Sequence, residues 1–534
     1  MARAVAVNAI LSLGRADTAA MRVKVLMAHE RTARAGGLLL LLILSSFLFF
    51  HRLGDRGLWS SHEARAAQDA QSIVLDRAWG LPRLFDRKVE LRKPPLYYWL
   101  VPATAQLRGG MVDAWSVRLP AAVAGLGIVV FLYLLGIRRG RALGGFFAAA
   151  MLATALHYTW LGRTGRIDMV LALAESVALG CFYMGLRCLV EQHGRRAWHW
   201  LFIAYIAAAV GVLLKGPIGL ILPAAVGFTY LLIKGELPSP QKPRDWLRLV
   251  HSLGLWWGRP LVLAIALPWY VWANECRKGD RFWVLLWKHN IERGVGDGAL
   301  RSHPWWFYGP RLAFDLLPWS LLLPVMGWLF VRRPEYRNDA EAGFGITWLL
   351  TGLIVFSCAS FKRADYLLPL YPGAALFLGS LADHWYKRIN RQRLTAIALG
   401  VGLCVFPVGW CVYANAMATR AGNREEARPF AEEIRRRAPA PQLILFFRTE
   451  AHNLAFHVGR PIDTLLEWEN LDIWASRPQI YYVVMPSAYA SVWSAHMKSG
   501  RLEEVMRSSV LAGAYHDDPL VLLRTRPGAG PSPR

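Results

Sequence analysis

Apolar residues run along this chain in blocks long enough to cross a lipid bilayer, separated by short polar stretches. A helix needs about 20 mostly apolar residues to pass the hydrocarbon core, because its backbone groups must be satisfied inside the segment. Blocks of that kind lie near 35–51, 118–137, 143–160, 168–188, 198–214, 216–234, 259–274, 308–331, 343–360, 366–383 and 394–414. The pattern predicts a mainly α, polytopic bundle of about 11 spans occupying 35–414. Residues 1–34 form a basic tail, with Met21 and Met27 as alternative starts. Residues 52–117 and 275–307 read as long loops on one face, the first with helices lying in the interface. From 415 to 527 the blocks give way to strand–helix alternation: a charged helix from Glu425 to Arg437, the strand Leu443–Phe447, a helix around Ala451–Val458, the strand Ile480–Val484, a helix around Tyr489–Met497 and the strand Leu520–Leu523. This predicts a small α/β domain. The Pro/Gly-rich end, 528–534, reads as a disordered tail.

Composition fits the bilayer reading. The 534 residues are 54% hydrophobic and 19% charged, with 24 Trp, several of them at block ends as in an interfacial belt. That excess of apolar residues excludes an ordinary soluble domain and a disordered chain. Six Cys, five of them in or beside spans, exclude a disulfide scaffold and match no zinc spacing. The net charge of +25 is unevenly placed. With the N-terminus inside, the inward hairpins hold about 18 Lys and Arg and the short outward ones about 5, which orients the chain N-in and C-out. The basic excess is thus topogenic and calls for no nucleic-acid partner.

The informative charges are those that stand against this trend, on the outward side. They are His62, Glu63, Arg65 and Lys93 in the first loop; Arg163, Arg166 and Asp168 in a tight hairpin; Lys215 before Gly216-Pro217; Lys288-His289; and Lys362-Arg363 with Asp365. Ionisable groups at membrane depth usually mark a site, and convergence of five hairpins predicts a polar cavity at the outer face. Snorkelling toward lipid headgroups is the plain alternative for any one of them. Lys and Arg beside an apolar wall suit a phosphate head on a hydrocarbon tail. Carboxylates there, Glu63 and Asp168 foremost, can take a proton from an acceptor or hold a divalent metal ion that offsets leaving-phosphate charge.

Eight short motifs carry a resemblance. In order, Leu58–Ala67, Lys93-Pro94-Pro95-Leu96-Tyr97-Tyr98-Trp99-Leu100, Arg118-Leu119-Pro120, Arg166-Ile167-Asp168-Met169, Lys215-Gly216-Pro217, Leu267-Pro268-Trp269-Tyr270, Pro318-Trp319-Ser320 and Tyr366-Leu367-Leu368-Pro369 resemble the aminoarabinose-transferase and protein-mannosyltransferase branch of the GT-C glycosyltransferases. The resemblance covers about 35–385. It implies an enzyme of the bacterial inner membrane that moves a sugar from a polyprenyl-phosphate donor to a glycolipid, cell-wall polymer or protein on the outer face, with a periplasmic α/β domain. It implies Asp168 as an acidic site residue, Lys93 and Arg65 facing the donor phosphate, Lys215 as the lysine of the family's Lys-Gly-Pro turn and His289 as its loop histidine; the outward charge cluster adds Lys215 and Arg166 to the phosphate-binding candidates and His289, Lys362 and Arg363 to the site lining. One departure matters: the family's first loop normally carries an Asp-Glu pair, and here the pair reads His62-Glu63. His62, Glu63 or Asp168 would then serve as base. A second is Arg92, where an acidic residue is common, which weakens a metal site. The alternative these departures motivate is a non-catalytic binder of the lipid-phosphate sugar, or a flippase-like transporter, on the same scaffold.

Overall fold

The computed structural model describes residues 30–526 apart from 59, 78, 82, 86–92, 277–302, 426, 450 and 514–515. Residues 1–29 of the basic tail, most of the second long loop and the last eight residues lie outside the described set, and 30–34 of the expected tail already belong to the first helix.

The expected helices form. α1 (Glu30–Phe50) is followed by α2 (Ser61–Asp76) and α3 (Leu96–Gln106) in the first loop. Then come α4 (Ala114–Arg138), α5 (Ala142–Ala153), α6 (Leu156–Gly162), α7 (Ile167–Val190), α8 (Gly194–Lys215), α9 (Ile218–Lys234), α10 (Pro243–Ser252) and α11 (Leu255–Cys276). α12 (Tyr308–Asp315), α13 (Leu323–Arg332), α14 (Ala340–Ser357), α15 (Tyr371–Arg388) and α16 (Gln392–Glu425) complete the bundle. Among the described residues six helices are long and apolar enough to span alone, or up to nine if each bent pair counts as one span.

Two expected spans are not single helices. The block 143–160 breaks between α5 and α6 with a 71° bend, and 308–331 breaks between α12 and α13 with a 109° bend. The breaks meet each other. The Leu156 N–H freed at the first donates to Leu317 O at 2.9 Å, and Trp319 Nε1–H donates to Thr154 Oγ1 at 2.9 Å. Non-helical backbone at membrane depth needs such partners.

The hairpins also sort into two ends of the bundle. At one end of the bundle Arg139 pairs with Glu341 (3.1 Å) and Glu191 (3.0 Å), and Arg141 with Asp383 (3.2 Å) and Asp339. These are the hairpins read as inward. Those read as outward meet at the other end.

The C-terminal unit is a five-stranded sheet of order β2-β1-β3-β5-β4. β1 (Ile444–Phe447) pairs in parallel with β2 (Ile462–Leu465) and β3 (Tyr482–Pro486); β5 (His516–Arg526) runs antiparallel to β3 and to β4 (Arg501–Gly513). α17 (Arg428–Arg437) and α18 (His452–Val458) cover one face. The long α16 continues through the domain edge expected at 414–415 and ends at Glu425. The unit is tied to the first loop. Phe85 inserts into its core, Phe85 O accepts from Ile462 N–H at 3.0 Å, and Gln68 on α2 donates to His452 O at 3.0 Å.

Candidate active site

The site is built where α2, α7, α8 and the 358–366 segment converge. Arg166, in extended backbone, precedes α7, so Asp168 falls in the first helical turn, where a carboxylate complements the helix dipole. α8 runs the opposite way and ends on Lys215, the end a cation complements. Gly216 then takes φ +78°, a left-handed turn that suits only glycine. Two oppositely directed helices thus bring Lys215 Nζ onto Asp168 Oδ1, with the same ammonium 4.4 Å over the Tyr366 ring.

A second carboxylate gathers the other cations. Asp365 Oδ2 accepts from Arg166 and, at 3.1 Å, from Arg363; Arg363 Nη1 also lies 3.0 Å from His62 Nε2. Behind Asp365, His157 sits 2.9 Å from the Tyr371 hydroxyl, which donates to Asp315 at 3.1 Å. Lys93 completes the ring. Its two following prolines hold it out of helix, and no hydrogen bond joins its Nζ to a described residue, although Asp168, Lys215, Arg166 and Arg363 are its charged neighbours. Burial together with those three cations pushes its pKa down to about 8, against the pull of Asp168. His62 is pushed down to about 2 by burial and by Lys93, Arg166 and Arg363. Among the described residues Lys93, Arg166, Lys215 and Arg363 face Asp168 and Asp365, with Glu175 also acting on Lys215, so cations outnumber carboxylates and leave positive charge that an anionic ligand can neutralise.

Two expected site residues take other places. Glu63 is fully buried and accepts from Arg118 at 2.8 and 3.1 Å and from Gly165 N–H at 2.8 Å. Burial favours its neutral form, but Arg118 outweighs that and holds the carboxyl below the usual range. Arg118, itself 1% exposed, also donates to Leu53 O, Arg56 O and Gly57 O. Glu63 therefore clamps the first loop to α4, its oxygens already engaged by Arg118 and Gly165. Lys362 donates to Ala359 O and His303 O and ties its own loop instead of lining the cavity. Arg65 lies on α2, partly exposed and engaged with a partner. His289 lies outside the described residues. Sequence reasoning missed His157, Asp315 and the hub role of Asp365; a histidine and an aspartate inside apolar blocks were the available signal.

Among the described residues no group of three His, Cys, Asp or Glu side chains is arranged to hold a metal ion, and Asp168 and Asp365 already face cations.

Residues 92–272 match the family described as dolichyl-phosphate-mannose-protein mannosyltransferase. An undecaprenyl phosphate-alpha-4-amino-4-deoxy-L-arabinose arabinosyl transferase of Pseudomonas aeruginosa is 30% identical over 374 residues, 68% of this chain and 62% of that protein. A Pseudomonas fluorescens relative of the same description is 27% identical over 353 residues, 65% of this chain and 60% of its own. The chain thus spans less than two thirds of these relatives. In fold, the crystal structure of ArnT from Cupriavidus metallidurans bound to undecaprenyl phosphate superposes with a TM-score of 0.72 at 19% identity, covering 91% of this chain and 98% of that one. The Archaeoglobus fulgidus oligosaccharyltransferase gives 0.54 at 13%, covering 88% and 69%. Sequence and fold point the same way: this multi-pass membrane protein is similar to protein mannosyltransferases over 92–272 and to aminoarabinosyl transferases over 68% of its length, and it shares the fold of ArnT.

Proposed function

We propose that the chain is an integral-membrane glycosyltransferase that moves a sugar from a polyprenyl-phosphate donor to an acceptor on the outer face of the bacterial inner membrane, with its N-terminus in the cytoplasm and the C-terminal domain in the periplasm. The observation that carries it is the excess positive charge around Lys93 beside Asp168. Lys93, Arg166 and Arg363 take the donor phosphate, and the bilayer takes the chain. An acceptor hydroxyl attacks the anomeric carbon; the bond from that carbon to the phosphate oxygen breaks, its electron pair leaves with the phosphate, and Asp168 Oδ2 receives the acceptor's proton. Lys215 orients that carboxylate through Oδ1. The acceptor, a glycolipid, cell-wall polymer or protein, reaches the site past the C-terminal domain, which leans on α2.

The relatives named above support the undecaprenyl-phosphate donor. The test is binding of undecaprenyl phosphate to the purified protein. Lys93→Ala should weaken it by about tenfold or more, and equal affinity would remove Lys93 from the phosphate site.

A further inference from the structure

Four separate elements meet through one carboxylate. Asp365 accepts from Arg166, at the head of α7, and from Arg363, and its Oδ1 lies 3.8 Å from Nε2 of His157 on α6. Arg363 then reaches α2, with Nη1 3.0 Å from His62 Nε2. A guanidinium has only donors and stays protonated. The ring nitrogen it meets must accept, so His62 is a neutral imidazole with its hydrogen on Nδ1. Among the described residues the charges facing the ring are Lys93, Arg166 and Arg363 against the carboxylate of Asp168, which disfavours a second proton.

A general base needs a free lone pair aimed at its proton. Here the Nε2 lone pair is occupied by Arg363, and Nδ1 already carries a hydrogen. What remains is one N–H donor beside a surplus of positive charge. We propose that Asp365, acting through Arg363, fixes His62 as a neutral Nδ1–H donor that binds the anionic donor lipid at its phosphate or sugar oxygens. Asp365 is thus a positioning residue, and His62 a binding residue that takes no part in proton removal. This rests on the reading of the site as one for a lipid-phosphate sugar.

Two measurements on the full-length chain in lipid nanodiscs test it. In 15N-histidine NMR, the signal lost in His62→Asn should report a protonated Nδ1 and an unprotonated Nε2, unchanged from about pH 8 to about pH 5. An imidazolium at pH 6, or the opposite tautomer, would overturn the proposal whether or not the protein transfers sugar. In transfer from undecaprenyl-phosphate sugars, the Asn amide stands near Nδ1 and the Gln amide near Nε2. His62→Asn, which keeps a donor near Nδ1, should lose less kcat/KM than His62→Gln, which should lose about tenfold or more. Asp365→Asn should raise the donor KM by about tenfold with kcat within about threefold, and Asp365→Glu should restore it. Equal loss in both His62 variants, or an unmoved KM in Asp365→Asn, overturns the assignment while the transferase reading stands. Absence of transfer by the wild type defeats that reading instead, and the NMR result still decides the tautomer.

Discussion

Glu63 and Lys93 are both charged residues of the same loop, yet their surroundings give them opposite work. Glu63 has Arg118 and a backbone N–H for its oxygens, so its loss leaves a buried guanidinium uncompensated. Removing one partner of a buried pair costs about 3–5 kcal/mol. Glu63→Ala should therefore lower the thermal midpoint of the purified protein sharply. Unchanged stability with lost turnover would return Glu63 to the chemistry. Lys93 has no such partner among the described residues, and its pKa lies at about 8. A lysine sheds its charge as pH rises through its pKa, so affinity for undecaprenyl phosphate should be full below pH 8 and fall above it. Lys93→Arg, which stays charged, should abolish that fall; a fall that persists in the variant would assign it elsewhere. The sequence marked both residues as candidates, because both are ionisable groups against the topogenic trend. It could not tell them apart, since the pairing of Glu63 with Arg118 crosses 55 positions.

At the scale of elements, the apolar blocks were legible because a span's length and hydropathy are local properties. The breaks at 154–155 and 316–318 were not, because each is stabilised by the other, through one backbone bond and one side-chain bond across the chain. The same contrast appears in the sheet. The apolar strands β1 and β3 stood out, while β2 (Ile462–Leu465) and β4 (Arg501–Gly513) did not. β2 is four residues long and contains Asp463; β4 is an edge strand carrying Glu503, Glu504 and Arg507, the charged kind that guards an exposed edge. The turn that presents Lys215 depends on close helix contact. A Cβ on Gly219 would stand 2.2 Å from the Gly211 backbone, so α9 packs on α8 only through glycine. Gly219→Ala should push the helices apart, lower thermal stability and weaken binding of undecaprenyl phosphate. Wild-type values for both would show that the turn adapts.

The molecule as a whole has two charged ends with an apolar bundle between them. One end is closed by ion pairs among Arg139, Arg141, Asp339, Glu341 and Asp383; the other leaves positive charge open beside the C-terminal domain. The proposed orientation puts the open end outside. In a chain whose six native cysteines are replaced, a membrane-impermeant maleimide should label Ser494→Cys in intact spheroplasts and reach Arg196→Cys only after lysis. The reverse pattern would invert the topology and move the site to the cytoplasm.

Sugar transfer by membranes carrying the wild type or Asp168→Asn, with radiolabelled undecaprenyl-phosphate sugars as donors, tests the central claim most directly. The wild type should label an acceptor, and Asp168→Asn should still bind undecaprenyl phosphate while transferring about 100-fold less or worse. Donor bound but never consumed by the wild type, or full transfer by Asp168→Asn, would contradict the account.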